Sequence, residues 1–506
     1  MQQSRHVDLH AISHQAMRKY GFEPAFPSPV MQEVGAIREQ LPDPGSIRDL
    51  RSLPWSSIDN DDSMDLDQLE VCEPGTGGEI AVKIAIADVD RYVPKDSRTD
   101  RYASHNGTSV YTGVETYPML PDRLSKGISS LLPGRDRVAV VIEYTVLPDG
   151  DVRPGDLYHA LVSNKAQLVY EEVGDWLEGV APVPGTVRDV PGLEQQIRLQ
   201  YEAALRLKRH RFEHGALVLN TIEARPVMEA DSVRELQVQR QNSARCLIED
   251  FMVAANGVMI NFLGKAGLAV VQRVVRVPKF WDEIVVTASQ YGEKLPAAPD
   301  AKALSLFLAR RKVADPERFP DLSLTIVKLL GPGEYLTLEP GGEPTGHFSL
   351  AVSDYTHATA PNRRFVDIIN QRLLKSVLAG KASPYSSADL EDLAAWLTDR
   401  DMASKKVERF VRKAAAAVLL QDRIGESFEG LVTGASEKGT YVRLIDPPVE
   451  GRVVSGERGL RVGDKIRVRL QKTDPYNGFI DFERLGGGEK KVLPGSMDFA
   501  RRRKGR

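Results

Sequence analysis

Between Gly425 and Leu485 the chain breaks into five short alternating runs: Phe428–Val432, Gly439–Leu444, Gly451–Val454, Lys465–Leu470 and Gly478–Phe482. Each run is too short for a stable helix, and glycines such as Gly434, Gly456, Gly459 and Gly463 punctuate the stretches between them. Strands this short must therefore pair closely with one another. Five strands in about sixty residues leave few arrangements without exposed edges, and a small closed barrel is the simplest. Whatever else the protein contains, it carries a compact β-unit at residues 423–485, set apart from a larger body before it.

That body has a different grammar. Apolar residues at helical spacing (Leu9, Ile12, Ala16, Met17, Tyr20, then Val30, Val34, Ile37, Leu41) give a small helical module over residues 1–48, helix-turn-helix-like in outline, with prolines between Pro24 and Pro29 separating its two parts. From Asp49 onward, β-rich runs at Leu69–Val71, Glu79–Val89 and Arg137–Val146 precede helical patterns at Leu193–His214, Val238–Leu263, Arg363–Leu378 and Ala388–Asp422. The expected fold is α+β and multidomain, with a catalytic α/β domain over 49–422 between the helical module and the barrel. An apolar content of 42% over 506 residues suffices for several cores. The apolar runs visible in the sequence are short and interrupted by charge, so no membrane span is expected. The first residues lack a secretory pattern, and Cys72 and Cys246 have no metal or disulfide spacing, so a reducing cytoplasmic setting is expected. A net charge of −3 gives no global reason to bind nucleic acid. Residues 486–506 differ locally: Lys490, Lys491, Arg501, Arg502, Arg503, Lys504 and Arg506 stand against Glu489 and Asp498, forming a basic tail that attracts phosphate.

The feature that points to chemistry is Ser57-Ile58-Asp59-Asn60-Asp61-Asp62-Ser63-Met64-Asp65-Leu66-Asp67-Gln68, with five aspartates in nine residues. If such side chains converge, their repulsion calls for a cation; if they do not, the segment is a solvated acidic loop. A calcium loop of the EF-hand kind also matches the oxygen spacing from Asp59 to Glu70. It fails because Met64 stands where the turn requires glycine and because strand, not helix, follows.

The cluster and several later blocks resemble the ribonuclease II family. Ser-Ile-Asp59 with Asp62, Asp65, Leu66 and Asp67 is similar to the signature that opens its catalytic domain. Ile84–Val89, Gly107–Tyr111, Pro118–Ser125, Gly215–Leu217, Glu249–Asn256 and Tyr355–Asp367 resemble further family blocks in the same order. The turn and strand pattern of residues 425–485 resembles the S1-type, OB-fold RNA-binding barrel. The resemblance implies a 3′→5′ exoribonuclease that takes single-stranded RNA and releases nucleoside 5′-monophosphates, with Mg²⁺, or Mn²⁺, as cofactor and no obligate protein partner.

By the same resemblance Asp59, Asp65 and Asp67 are catalytic metal ligands, Arg363 meets the scissile phosphate and Arg364 a neighbouring one. Tyr111 stacks on the terminal base, with Phe280 or Trp281 as candidates for the opposing aromatic. Glu408 lies near the terminal nucleotide, while Asp367 and Arg372 orient the helix that carries the arginines. In the barrel, Tyr441 and Arg443, together with Arg467 and Arg469, supply the stacking and basic groups of a single-strand groove. This chain departs from the family at Gln68, where a further aspartate is expected and a neutral oxygen ligand is found. It departs again before Asp49, where too few residues remain for two cold-shock-type barrels. The Gln68 departure motivates an alternative, a catalytically impaired RNA-binding protein, and an endonuclease is a third reading.

Overall fold

The computed structural model describes residues 7–43, 45–222, 224–229, 232–436 and 439–486; the basic tail beyond Gly486 lies outside them. Its body is organised on a sheet built from β1 (Arg48–Asp49), β2 (Ser56–Asp59), β3 (Gln68–Pro74), β4 (Ile80–Ala87), a separate small hairpin β5 (Val110–Tyr111) and β6 (Thr116–Tyr117), then β7 (Asp136–Val146), β8 (Val152–Ser163) and β9 (Ala166–Val169). The seven sheet strands run in the order β1-β8-β7-β4-β3-β2-β9. Pairing is antiparallel except at the margins, where β1 joins β8 and β2 joins β9 in parallel. Ile80, Val82, Ile84 and Ile86 recur at period two on β4 and are all buried, so a central position for this strand follows from its sequence.

Helices Leu193–Glu213 and Ser243–Lys265 pack on one another and on the sheet. The second was expected to begin near Val238, but Val238 ends a hairpin of Ala224–Glu229 with Ser232–Val238. The helix starts after Asn242, whose side chain accepts from Arg245 N at 3.0 Å. A side-chain cap at this point fixes the boundary that periodicity alone leaves open. This helix of 23 residues is long and apolar enough to cross a membrane by length and composition, which the run-by-run reading of the sequence did not anticipate. Most of it is buried in the protein, with Phe251, Val258 and Leu263 in the main core and the polar Asp250 and Asn256 equally buried.

The N-terminal helices are sewn into this body. Leu9–Lys19 places Ala16 and Met17 against Val407 and Val411 of the long helix Ser387–Leu420, and Leu9 and Ile12 against its Ala414 and Ala415. Ser28–Ala36 contributes Val34 to the main core, and its Glu33 carboxylate accepts from Thr99 N at 2.9 Å and Arg98 N at 3.0 Å, the free first-turn amides of helix Arg98–Asn106. That helix ends at Gly107, with φ of +70°, where a Cβ would stand 2.9 Å from Arg400. Glycine is needed there to turn the chain directly into β5.

Helices Trp281–Gln290, Ala301–Ala314 and Phe319–Leu330 enclose a second core. The C-terminal unit is a closed barrel of Ser427–Ser436, Gly439–Leu444, Glu450–Ser455, Phe479–Arg484 and Lys465–Asp474, in that order around the wall. Val432, Val442, Val453, Val468 and Phe482 fill it.

Helix Phe365–Leu378 is anchored by Arg372, whose guanidinium donates to Asp90 (2.6 Å), Asp100 (2.7 Å), the Tyr385 hydroxyl (2.7 Å) and the carbonyl of Val93 (2.7 Å) in a nearly closed environment. Removing one member of a buried ionic set leaves the others unpaired. Arg372→Met is therefore expected to lower the unfolding free energy by about 3 kcal/mol, measured by urea titration at neutral pH.

Candidate active site

The site forms where three segments meet: the loop from β2 to β3, the β5 hairpin, and the loop of residues 355–364 that leads into helix Phe365–Leu378. Asp67 is the joint. Its carboxylate is buried at 2% exposure and accepts from Asn362 N at 2.9 Å and Arg363 Nε at 3.2 Å, residues nearly three hundred positions later. Burial pushes the Asp67 carboxyl up to about 7; Arg363 opposes this and Asp65 adds to it. Arg363 keeps its positive charge, supported against burial by the surrounding carboxylates, and its side chain is half-exposed, so its remaining donors face the open site.

Asp65 lies beside this pair. Its Oδ2 accepts from the Tyr111 hydroxyl at 3.3 Å, and its carboxyl is raised by burial, with Asp59 adding to the shift and Arg363 opposing it. Tyr111 presents a partly exposed ring while its amide donates to Glu408 Oε1 at 3.2 Å, so the long C-terminal helix holds the backbone of the β5 hairpin. Asp59, at the end of β2, accepts from Asn60 N at 2.7 Å and the Ser63 hydroxyl at 2.9 Å. Asp61 and Asp62 face solvent. The structure thus brings together Asp59, Asp65, Asp67, Arg363, Tyr111 and Glu408. Gln68 is buried on the first position of β3.

A dense network holds the 355–364 loop. Asp367 accepts from Ala360 N at 2.7 Å and from Nε and Nη2 along one edge of the Arg364 guanidinium, at 2.9 and 2.8 Å. Asn370 donates to the Thr356 hydroxyl and to the carbonyl of His357, Asn256 accepts from Ala358 N, and Ser129 donates to Asn362 Oδ1. Arg364 thus braces the loop through one edge of its fork, an engagement beyond the phosphate grip expected from the sequence.

The barrel arginines are likewise engaged with carboxylates. The Arg443 guanidinium reaches Asp321 of helix Phe319–Leu330 at 3.0 Å, tying the barrel to the body, while Arg469 and Arg467 lie near Glu483 (3.4 Å) and Glu429 (4.0 Å). Tyr441 is partly exposed on the barrel wall. Trp281 cannot oppose Tyr111, since it is buried in the second core and donates to the carbonyl of Pro296; Phe280 next to it is exposed. Sequence reasoning passed over Arg225 and Arg412, which with Tyr111, Gly113 and Glu408 line a cleft beside the carboxylates. Neither arginine stands in a motif; each reaches the cleft only through tertiary packing.

Among the described residues no three histidine, cysteine or acidic side chains are gathered as a finished metal cage. The donor set nevertheless suits a hard divalent ion. It is all oxygen, and burial, with neighbouring carboxylates adding and Arg363 opposing, raises the Asp65 and Asp67 carboxyls.

Residues 47–380 match the RNB domain, and residues 426–485 match the RNase II-type exonuclease C-terminal S1 domain. This chain belongs to the RNB family. It is 28% identical to Ribonuclease R of Vibrio cholerae and 28% to that of Escherichia coli, in each case over 92% of this chain and 61% of the relative, so it spans about three-fifths of their length. Ribonuclease R of Aquifex aeolicus is 28% identical over 94% of this chain and 70% of its own. Among solved structures, the apo form of Mycoplasma genitalium RNase R superposes with a TM-score of 0.84 at 22% identity, covering 94% of this chain and 78% of that one. Yeast Ssd1, described as a pseudonuclease, superposes at 0.70 with 15% identity, covering 91% and 57%. The RNB match thus falls on the body of the chain and the S1 match on the barrel that follows it.

Two histidines near the loop are held neutral. Burial drives His357 well below its ordinary value of 6.5, reinforced by Arg364 and Arg273, and burial brings His347 to about 4. His357 Nδ1 lies 2.8 Å from the Tyr335 hydroxyl. In the unfolded chain His357 takes up a proton below pH 6.5, but the folded chain refuses it, so this contribution to stability is present above 6.5 and declines as pH falls. Relative to His357→Gln, the wild-type protein should lose about 1.4 kcal/mol of unfolding free energy per pH unit below 6.5. Urea titrations of both proteins between pH 7 and 5 check this; a constant difference would contradict neutral burial.

Proposed function

We propose that this chain is an exoribonuclease of the ribonuclease II type, degrading single-stranded RNA from its 3′ end and releasing nucleoside 5′-monophosphates. The observation that carries this reading is the buried Asp67–Arg363 pair, placed with Asp65 beside an exposed aromatic ring that Glu408 and Asp65 hold in position. Asp59, Asp65 and Asp67 would hold a divalent cation, Mg²⁺ or Mn²⁺, with Gln68 as a neutral neighbour. When bound, such a cation supplies charge neutralisation at the phosphate and lowers the cost of ionising water.

The remaining roles belong to the protein. Arg363 offers its free guanidinium donors to the non-bridging oxygens of the terminal phosphodiester, where charge grows as the new P–O bond forms. Asp67 aims that guanidinium, and through Asn362 N it fixes the loop carrying it. The Tyr111 ring receives the last base by stacking, which tolerates any base. Arg225 and Arg412 line the adjacent cleft, where they favour the phosphates of the incoming strand. The barrel gives the single strand a second surface through Tyr441, Arg467 and Arg469. The two unpaired cysteines, Cys72 and Cys246, suit a reducing cytoplasm.

A second reading, an RNA-binding protein with an impaired centre, rests on Gln68. The two readings separate when a 5′-labelled single-stranded RNA is incubated with Mg²⁺, Mn²⁺ or EDTA and resolved at single-nucleotide steps, with mononucleotides identified by chromatography. Metal-dependent shortening to a short limit product with 5′-monophosphates is expected. RNA bound but not shortened in either metal would establish the impaired centre, and internal cuts would establish an endonuclease.

A further inference from the structure

Glu70 stands on β3 two residues beyond Gln68, on the same face of the strand, and nothing in the site described above uses it. It is fully buried, and neither carboxylate oxygen has a hydrogen-bond partner. Its neighbours are also unsatisfied oxygens. Ser56 is its direct cross-strand partner, and the Ser56 hydroxyl is buried without a partner. Gln200 donates its amide nitrogen to the carbonyl of Glu70 at 3.3 Å, leaving its own Oε1 buried and unpartnered. Four oxygens from three side chains around this residue pair are thus closed off from water without a hydrogen-bond partner, and the Ser56 hydroxyl is the one donor among them.

Buried polar atoms are normally paired, and a buried carboxylate without a partner calls for a proton, a water or a cation. The charge bearing on Glu70 is that of Asp59. Tyr170, at the start of helix Tyr170–Leu177, is raised by burial and by the charge of Asp59, with Arg363 opposing and Glu70 adding to the rise, so both carboxylates bear on this one hydroxyl. A proton on Glu70 would supply one donor to this group. A divalent cation would satisfy several of the oxygens at once and relieve the repulsion between the two carboxylates.

We infer that Glu70 is a metal ligand of this chain, acting with Asp59 and supplying from the third strand the carboxylate that Gln68 cannot. The site takes Mg²⁺ or Mn²⁺, ions that accept all-oxygen coordination. The inference rests on the nuclease reading for its purpose but not for its test, which reads metal binding directly.

Mn²⁺ binding is titrated by electron paramagnetic resonance on the full chain without RNA, for wild type, Glu70→Gln, and Glu70→Gln combined with Gln68→Asp. Glu70→Gln keeps the shape of the side chain and is expected to weaken Mn²⁺ at least tenfold, while the double variant recovers to within about threefold of wild type, since one lost carboxylate is returned beside the first. Gln68→Asp alone, the arm that stands if Glu70→Gln does not fold, is expected to tighten Mn²⁺ at least threefold. Unchanged Mn²⁺ affinity in Glu70→Gln, or no tightening in Gln68→Asp, would overturn the assignment. Metal-dependent RNA shortening by a Glu70→Gln variant with unchanged Mn²⁺ affinity would overturn it while leaving the nuclease reading intact, whereas a wild-type chain that neither binds Mn²⁺ nor shortens RNA would remove both.

Discussion

A carboxylate removed from water is costly to ionise, and the fold around Asp67 is arranged to meet that cost. The Asn362 amide and the Arg363 guanidinium both converge on it, so one side chain at the head of β3 fixes a loop that the chain reaches only after crossing most of the catalytic body. The loop's other hydrogen bonds follow from this demand. Asp367, Asn370, Asn256 and Ser129 each bind its backbone or side chains, which leaves Arg363 little freedom except at the guanidinium edge facing the site. Such preorganisation is what a charge-stabilising group needs, because a donor already in place has no reorganisation to undergo as the reaction proceeds.

The balance of charge gives the site its second property. Asp59, Asp65 and Asp67 outnumber the one half-exposed arginine that faces them, and Asp65 and Asp67 hold protons more tightly than an ordinary aspartate. Glu70 extends the excess into the sheet, among buried oxygens that lack donors. A chain of nearly neutral overall charge thus concentrates negative charge at its reactive centre and lines the neighbouring cleft with Arg225 and Arg412. The proposed phosphodiester chemistry would use that division, with cations and arginines meeting the phosphate at the carboxylates and basic side chains holding the strand that leads to it.

What the sequence made legible was local or collinear. The barrel strands were readable because alternation and glycine punctuation are properties of neighbouring residues, and the helices from Leu193 and Phe365 because their periodicity is unbroken. The aspartate cluster was visible as a density of charge. The start of helix Ser243–Lys265 was displaced because a cap at Asn242 and a hairpin ending at Val238 decide it. Arginine roles were the least legible. Arg364 and Arg443 are exposed-looking cations in sequence, and only the fold shows Asp367 and Asp321 occupying them, the latter 122 residues away. Arg225 and Arg412 escaped notice for a related reason, and Glu70 entered only as the last position of a rejected calcium loop. A glutamate inside an apolar strand carries no signal until its burial and its unpartnered oxygens are seen.

The central claim is that Asp67 and Arg363 work as one unit, and a double-mutant cycle tests it most directly. Single-turnover rates of RNA shortening would be measured for wild type, Asp67→Asn, Arg363→Lys and the double variant, with RNA affinity measured alongside. The double variant is expected to be no slower than the slower single variant, with RNA binding changed by less than about threefold, because each substitution dismantles the same arrangement. Rate losses that multiply in the double variant would show two residues acting independently and would contradict it.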